Sequence, residues 1–251
     1  MQLGLHQKQR LLQDGYLQLG EVVPAARIEA ALAAINRSLG ERGLPPERLP
    51  EMRARTYCPE LVRAPEIQAL YAETPARALA EAAIGRVRVP GEGQIALRFP
   101  QAQGRPATPH IDGMYAPDNG VPPGTLLHFT ALLGVFLSDL PGPDAGNFTV
   151  WPGSHRLLEA HFRQHGTGAI VSGFPAVALP EPRPLTGRAG DVVLAHYALA
   201  HAAAANLGPH IRYAVFFRLY HADHEQAGTR PLTELWSQWE GMRDLAPGEP
   251  P

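Results

Sequence analysis

The spacing of hydrophobic residues changes character at Gly85. Upstream, apolar residues recur three or four positions apart, the repeat of a helix with one buried face. Leu3 to Leu12 fits a short helix ending near Asp14-Gly15, and Tyr16-Leu17-Gln18-Leu19 alternates as a strand does. Pro24 opens AARIEAALAAINRSLG, in which Ile28, Leu32, Ile35 and Leu39 share a face and Gly40 supplies a stop. Residues 41–56, rich in Pro, Arg and Glu, read as a loop. Helical signals return over Pro65–Tyr71 and Pro75–Ile84, carried by alanine and leucine.

Downstream of Gly85 the apolar stretches shorten and gain β-branched and aromatic residues: VRV, QIALRF, LLHFTALLGVFLSD, NFTVW, DVVLAHYALA and YAVFFRLY. Turn formers such as Pro141-Gly142-Pro143-Asp144 separate them, so they read as strands. A short helix is expected over 157–164. Trp236 and Trp239, at helical spacing in LTELWSQWEGM, predict a C-terminal helix with tryptophan packing anchors. The proline-rich tail after Ala246 is expected to fray. The layout predicts one mainly β domain with flanking helices over residues 1–251. Its parts are a helical segment to about 84, a β core over about 85–222, and a C-terminal helix and tail over 223–251. A jelly-roll or cupin-like closure would protect the strand edges, with a plain sandwich as the alternative.

Hydrophobic residues make up 45% of the 251 positions and charged residues 18%, which suits a sizeable core. A formal charge of −2 gives no electrostatic footing for nucleic acid or an anionic membrane, and no basic patch for a coenzyme A thioester. Cys58 is the only cysteine, which excludes an internal disulfide and a cysteine metal cage and fits a reducing compartment. The N-terminal residues do not resemble a signal peptide, and no apolar run reaches membrane length. A soluble, cytoplasmic protein is the expectation.

His110-Ile111-Asp112 carries the most chemical information. In an extended segment residues i and i+2 share a face, so an imidazole and a carboxylate project together. A second histidine would complete the facial triad of non-haem Fe(II) oxygenases, which leaves positions open for co-substrate and O₂. His196, His201 and His210 are the candidates in GDVVLAHYALAHAAAANLGPHIRYAVFFRLY. Such an enzyme also needs a cation for the far carboxylate of 2-oxoglutarate. Arg212, between Ile211 and Tyr213 in an apolar strand, is suited to it because a guanidinium stays charged when buried and grips both oxygens.

With HID at 110–112, GNFTVWPGSH at 146–155, GDVVLAHYALAH at 190–201 and the Asn206…Arg212 continuation in order, residues 85–222 resemble the phytanoyl-CoA dioxygenase family. The resemblance implies a double-stranded β-helix core, Fe(II) bound by His110, Asp112 and His201, and 2-oxoglutarate held by Arg212. It implies oxidation of a small organic substrate by O₂, with 2-oxoglutarate decarboxylated to succinate and CO₂. It also places Pro152-Gly153-Ser154-His155 near the mouth of the active site. Asp112 argues against halogenation, because halogenating relatives have a small residue there. Two departures stand out. Gly134 occupies a position where many members have tryptophan, and Ala202-Ala203 replaces a common Gly-Ser. The near carboxylate of the co-substrate is therefore expected to be held from elsewhere, with Arg98 and Gln94 as candidates.

Residues 113–125, GMYAPDNGVPPGT, read as a lid that brings Met114 and Tyr115 to substrate. His128 and Thr130 alternate on the next strand and are candidates to face the cavity. His196 and Asp191 are expected to organise the strand leading to His201. His155, His161, His165, His210, His221 and His224 are expected on surfaces or helix faces without a role. Two rival readings stay open: a redox-inactive cupin-like isomerase or hydrolase, and a non-catalytic ligand-binding barrel. Substrate identity and oligomeric state have no signal here.

Overall fold

The computed structural model describes residues 2–168 and 173–245, and the expected fraying of the tail after Ala246 falls outside them. Helix α1 (Leu5–Asp14) ends on Gly15 at φ 80°, and β1 (Tyr16–Leu19) follows at once. Helix α2 (Ala25–Arg42) runs through Gly40 and stops at Gly43, φ 66°. Gly40 is compatible with helix and costs only propensity, whereas Gly43 can adopt the left-handed backbone that ends one. The segment read as a loop contains a 3₁₀ turn over Pro46–Arg48 and α3 (Leu49–Ala54). Prolines in the first turn of each, which cost no hydrogen bond there, were read as breakers when they are starters. Helices α4 (Pro65–Ala72) and α5 (Pro75–Ile84) match their patterns, and Thr74 Oγ1 caps α5 by accepting from Ala76 N at 3.3 Å.

The strands form two antiparallel sheets. In the larger, β1 pairs β7 (Val192–His196), β7 pairs β4 (Ala131–Phe136), and β4 pairs β9 (Arg212–His221). Strand β9 is long enough to take two partners on its other side, β3 (Gln94–Arg98) and β2 (Val87–Arg88). The smaller sheet has the order β6 (Arg183–Pro184), β5 (Phe148–Val150), β8 (His201–Ala203), and an isolated bridge from His110 to His201 extends it. Helix α6 (Ser154–His165) follows β5.

Period-two alternation assigns each face of the larger sheet. Ile95, Leu97, Leu133, Val135, Val215 and Phe217 pack under the helices with Ile28, Ile35, Ile67, Leu70 and Leu79. Leu132, Phe136, Val193, Ala214 and Phe216 face the smaller sheet and meet Phe148 and Val150 there. The result is a curled, mostly antiparallel jelly roll with helices outside. Gln94, Arg98, Arg212 and Arg218 share the inner parity, so the sequence that builds the wall also delivers polar groups to its concave side.

The expected C-terminal helix is not formed. After α7 (His224–Ala227) the chain runs through turns and 3₁₀ segments, and Pro231 and close packing of Gly241 on the Ala82 carbonyl keep it from coiling regularly. The tryptophans still anchor packing: Trp239 stacks on His196 with centroids 5.3 Å apart, and Trp236 meets Trp239 at 5.3 Å. Among the described residues no helix is long and apolar enough to cross a membrane.

Candidate metal centre

The site begins with two backbone hydrogen bonds. His110 N donates to His201 O at 3.0 Å and His201 N donates to His110 O at 2.9 Å, which fixes the two residues opposite each other. Their rings lie 4.7 Å apart. Each Nδ1 faces a backbone carbonyl, Thr108 O at 3.4 Å for His110 and Leu199 O at 3.0 Å for His201. Those carbonyls hold the Nδ1–H tautomers and leave both Nε2 lone pairs free to bind a metal. Backbone carbonyls carry no residue signature, so no sequence pattern locates these acceptors.

Ile111 is buried between the sheets, and its anchoring turns Asp112 toward the same point as His110. Gly113 then bends the chain away at φ 79°, where a Cβ would strike the Leu127 backbone. Asp112 Oδ1 lies 3.5 Å from His201 Nε2 and 3.9 Å from His110 Nε2. The candidate ligand atoms all fall within 4.8 Å of one another. Two imidazole nitrogens and one carboxylate oxygen on one side of a cavity suit Fe(II) with open positions. Of the three histidines weighed for the second imidazole, His201 is the one brought here. His196 is buried elsewhere and His210 is exposed.

Arg218 was missed by sequence reading. Its Nη2 donates to Asp112 Oδ2 at 2.7 Å, and its guanidinium lies 5.7 Å from the Phe129 ring centroid. The available clue was its inward parity with Arg212, six residues earlier on β9. Burial acts to raise the Asp112 pKa, but Arg218 and both imidazoles outweigh it and hold the carboxylate well below its usual range. Enclosure by the cavity walls, then the neighbouring His201, lowers His110 to about 4, so its imidazole is neutral near pH 7.

Arg212 opens β9 at the cavity floor. Its Nε donates to Gly146 O at 2.7 Å and its Nη1 to Ala96 O at 3.0 Å. The residue is 4% exposed, and among the described residues no carboxylate lies within 4.0 Å of it. Burial first, then Arg98 beside it, pulls its pKa down to about 9. Arg98 is its direct cross-strand partner and is lowered by burial too. Like charges placed opposite each other are unfavourable unless an anion joins them. Gln94 lines the same cavity, so Gln94 and Arg98 do not lie on an exposed face. Asn206 holds the turn from β8 to β9, its Nδ2 donating at 2.7 Å to both Arg98 O and His210 O.

The cavity holds about 890 Å³ and is shared by His110, Asp112, His201, Arg212, Arg218 and Arg98. Met114 and Tyr115 from the 113–125 loop reach its wall, as does Leu127. His128 and Thr130 do not line it: Thr130 Oγ1 accepts from His221 N at 2.9 Å and pairs with Gln238 in the interior. The missing tryptophan at Gly134 is compensated from across the sheet, because the Phe216 ring lies over the glycine, 2.6 Å from where a Cβ would be.

The PGSH segment is a brace and not a mouth. Ser154 Oγ accepts from Ala200 N at 2.9 Å, immediately before His201, and neither Ser154 nor His155 is exposed. His155 was expected on a surface but is held through Nε2 and Leu12 O at 3.1 Å. His221 and His224 are also buried, bonded to Glu240 at 3.2 Å and to His128 O at 3.1 Å. Helix-surface logic fails for them because distant segments supply partners, backbone carbonyls for His155 and His224 and the Glu240 carboxylate for His221. His196 and Asp191 do organise their strand. His196 engages Leu235 O at 2.8 Å, and Asp191 accepts from Glu21 N and Arg188 N at 3.0 and 2.9 Å.

Solved structures of similar fold include a non-haem α-ketoglutarate-dependent epimerase, SnoN, from nogalamycin biosynthesis. It is 23% identical with a TM-score of 0.56 over 85% of this chain and 81% of that one. HygX from Streptomyces hygroscopicus, solved with nickel and 2-oxoglutarate, is 21% identical with a TM-score of 0.57, covering 88% of each chain. The carbocyclase SnoK, also from nogalamycin biosynthesis, is 22% identical with a TM-score of 0.53 over 90% of each. No curated protein matches the chain. The family model for phytanoyl-CoA dioxygenase matches residues 11–214, which contain both sheets apart from most of β9 and all three candidate ligands. By that match, and with a His-Asp-His centre over a guanidinium-floored cavity, the chain belongs to the phytanoyl-CoA dioxygenase family.

Proposed function

We propose that the protein is an Fe(II)- and 2-oxoglutarate-dependent dioxygenase that hydroxylates, or otherwise oxidises, a small organic molecule. One observation carries the reading: three metal-donor side chains converge above a buried guanidinium that has no carboxylate of its own among the described residues. In this reading His110, Asp112 and His201 hold the ferrous ion. Arg212 binds the far carboxylate of 2-oxoglutarate, and Arg98 and Gln94 approach the co-substrate from the adjoining strand. Bound iron supplies the activation of O₂, coupled to decarboxylation of 2-oxoglutarate to succinate and CO₂.

The remaining work belongs to the protein. Arg218 and the carbonyls of Thr108 and Leu199 orient the ligands, and Phe216 and Phe148 keep the adjoining wall apolar. Retention of the Asp112 carboxylate favours oxygen insertion over halogen transfer. Epimerase and carbocyclase relatives in fold make the choice among oxidative outcomes a matter of how substrate is oriented. We read the enzyme as cytoplasmic, in keeping with a lone cysteine, Cys58, that is buried and can form no internal disulfide.

The test is anaerobic titration of Fe(II)-loaded protein with 2-oxoglutarate. A visible charge-transfer band should form in the wild type and vanish in His110→Ala. Succinate release in air should require both iron and 2-oxoglutarate. Activity supported by zinc without 2-oxoglutarate would instead identify a redox-inactive enzyme.

A further inference from the structure

The chain is nearly neutral overall, yet the cavity wall is rich in guanidinium groups: Arg53, Arg55, Arg63, Arg98, Arg212 and Arg218. Three of these are paired. Arg63 meets Glu92 at 2.7 Å, Arg55 meets Glu51 at 3.2 Å, and Arg218 meets Asp112 at 2.7 Å. Arg53, Arg98 and Arg212 have no carboxylate within 4.0 Å among the described residues. The Arg53 and Arg98 guanidiniums also make no hydrogen bond to the described residues. Arg53 sits near the end of α3 and is exposed at the entrance, and Arg98 and Arg212 lie side by side below it.

Loading the site does not remove this excess. A ferrous ion and dianionic 2-oxoglutarate cancel, and Asp112 is already offset by Arg218. With Arg212 taken by the far carboxylate, Arg98 and Arg53 are left with no carboxylate partner, Arg98 in a half-buried place where an unpaired charge is expensive and Arg53 above it at the solvent edge. A neutral substrate would leave them so.

From this we propose that the substrate is an organic anion bearing a carboxylate or phosphate monoester. Arg53 receives the anionic group at the cavity entrance, with Arg98 beneath it. Planar guanidiniums accept both kinds of anion in a bidentate fork, so the shared chemistry is a trigonal or tetrahedral oxyanion. This rests on the reading of the cavity as a 2-oxoglutarate site, because that assignment is what reserves Arg212 for the co-substrate.

The test follows arginine reactivity directly. Protein loaded anaerobically with Fe(II) and 2-oxoglutarate is treated with phenylglyoxal, and modification at each arginine is read by peptide mass spectrometry. Phenyl phosphate, benzoate, phenol and benzamide serve as probes. Arg212 should be protected by 2-oxoglutarate alone. Arg53 should stay reactive with the co-substrate bound and react several-fold more slowly when phenyl phosphate or benzoate is added. Phenol and benzamide should not change it. Whichever anion protects more names the preferred class. The substrate inference is overturned if neither anion protects Arg53, if the neutral probes protect equally, or if 2-oxoglutarate protects it completely. Failure of 2-oxoglutarate to protect Arg212 or produce the charge-transfer band would instead sink the dioxygenase reading, while Arg53 protection is still scored. In Arg53→Gln the charge-transfer band formed with 2-oxoglutarate should persist while the affinity for phenyl phosphate or benzoate, measured calorimetrically, falls several-fold, and unchanged affinity would overturn the assignment to Arg53.

Discussion

Arg218 Nη2 donates to Asp112 Oδ2 at 2.7 Å, leaving Oδ1 as the carboxylate oxygen that faces the two imidazoles. The pair joins the concave face of the larger sheet to the loop after His110. A carboxylate held by one oxygen presents the other in a fixed direction, so Arg218 is a positioning residue for the metal site. Arg218→Gln should weaken Fe(II) binding about 10- to 100-fold, the usual effect of removing such a partner. Arg218→Lys should recover part of that loss, since it restores charge but not the planar fork. Calorimetric titration with Fe(II), anaerobically, measures both. Unchanged affinity in Arg218→Gln would show that Asp112 orients itself.

Gly134 and Phe216 form a second coupled pair. A Cβ at Gly134 would lie 2.6 Å from Phe216 Cε1 and 3.0 Å from Val193 Cγ1, although Gly134 has no backbone conformation that demands glycine. Gly134→Ala should therefore cost about 1–3 kcal/mol through overpacking. Phe216→Ala should cost about 3–5 kcal/mol through loss of a buried ring. Gly134→Trp in the Phe216→Ala background should be more stable than either change alone would suggest. Urea denaturation of the wild type, Gly134→Trp, Phe216→Ala and the double variant gives the coupling energy, and additivity would show that the two positions do not share one space.

Much of this architecture was legible because inner and outer residues alternate strictly. The pattern of YAVFFRLY gave β9, and HID gave two of the grouped donors, whereas the choice of His201 over His196 and His210 came from the family resemblance. What stayed hidden depends on partners remote in sequence. The interior positions of His155 and His224 follow from the carbonyls of Leu12 and His128, which no local pattern announces. Beyond its parity with Arg212, Arg218 carried no signal of its own, because its partner Asp112 lies 106 positions away. The arginine-lined cavity was masked in the same way, since whole-chain charge averages over groups that the fold gathers.

Gly146 lies against the Arg98 and Arg212 side chains at the cavity floor. It sits at φ 74°, and a Cβ there would lie 2.8 Å from Arg98 Cβ and 3.2 Å from Arg212 Cβ. Its carbonyl also accepts from Arg212 Nε at 2.7 Å. Gly146→Ala should displace both arginines and raise the dissociation constant of 2-oxoglutarate about tenfold, the effect of losing roughly 1.4 kcal/mol. Fe(II) affinity should stay within about twofold, a difference of roughly 0.4 kcal/mol. Titration by the charge-transfer band and by calorimetry compares the two. Equal loss of both would mean that the substitution disturbs the whole barrel.

The buried histidines set an acid limit on stability. Burial, then His196 nearby, lowers His155 to about 3, and burial lowers His196 to about 4. Both are therefore neutral when folded, and in the unfolded chain each would titrate near 6.5. As pH falls the unfolded state takes up protons first, so stability is full above about 6.5 and declines toward the folded values. At about pH 5 each histidine should have removed on the order of 2 kcal/mol, before most carboxylates titrate. His155→Gln should lower stability at neutral pH, since the imidazole is packed against Gly15 and bonded to Leu12 O. It should also flatten the dependence on pH between about 6.5 and 5, because one titrating group is gone. Guanidinium denaturation of both proteins across that window provides the comparison. An identical slope in the variant would mean that His155 takes up its proton at the same pH folded and unfolded, and that its burial does not govern acid sensitivity.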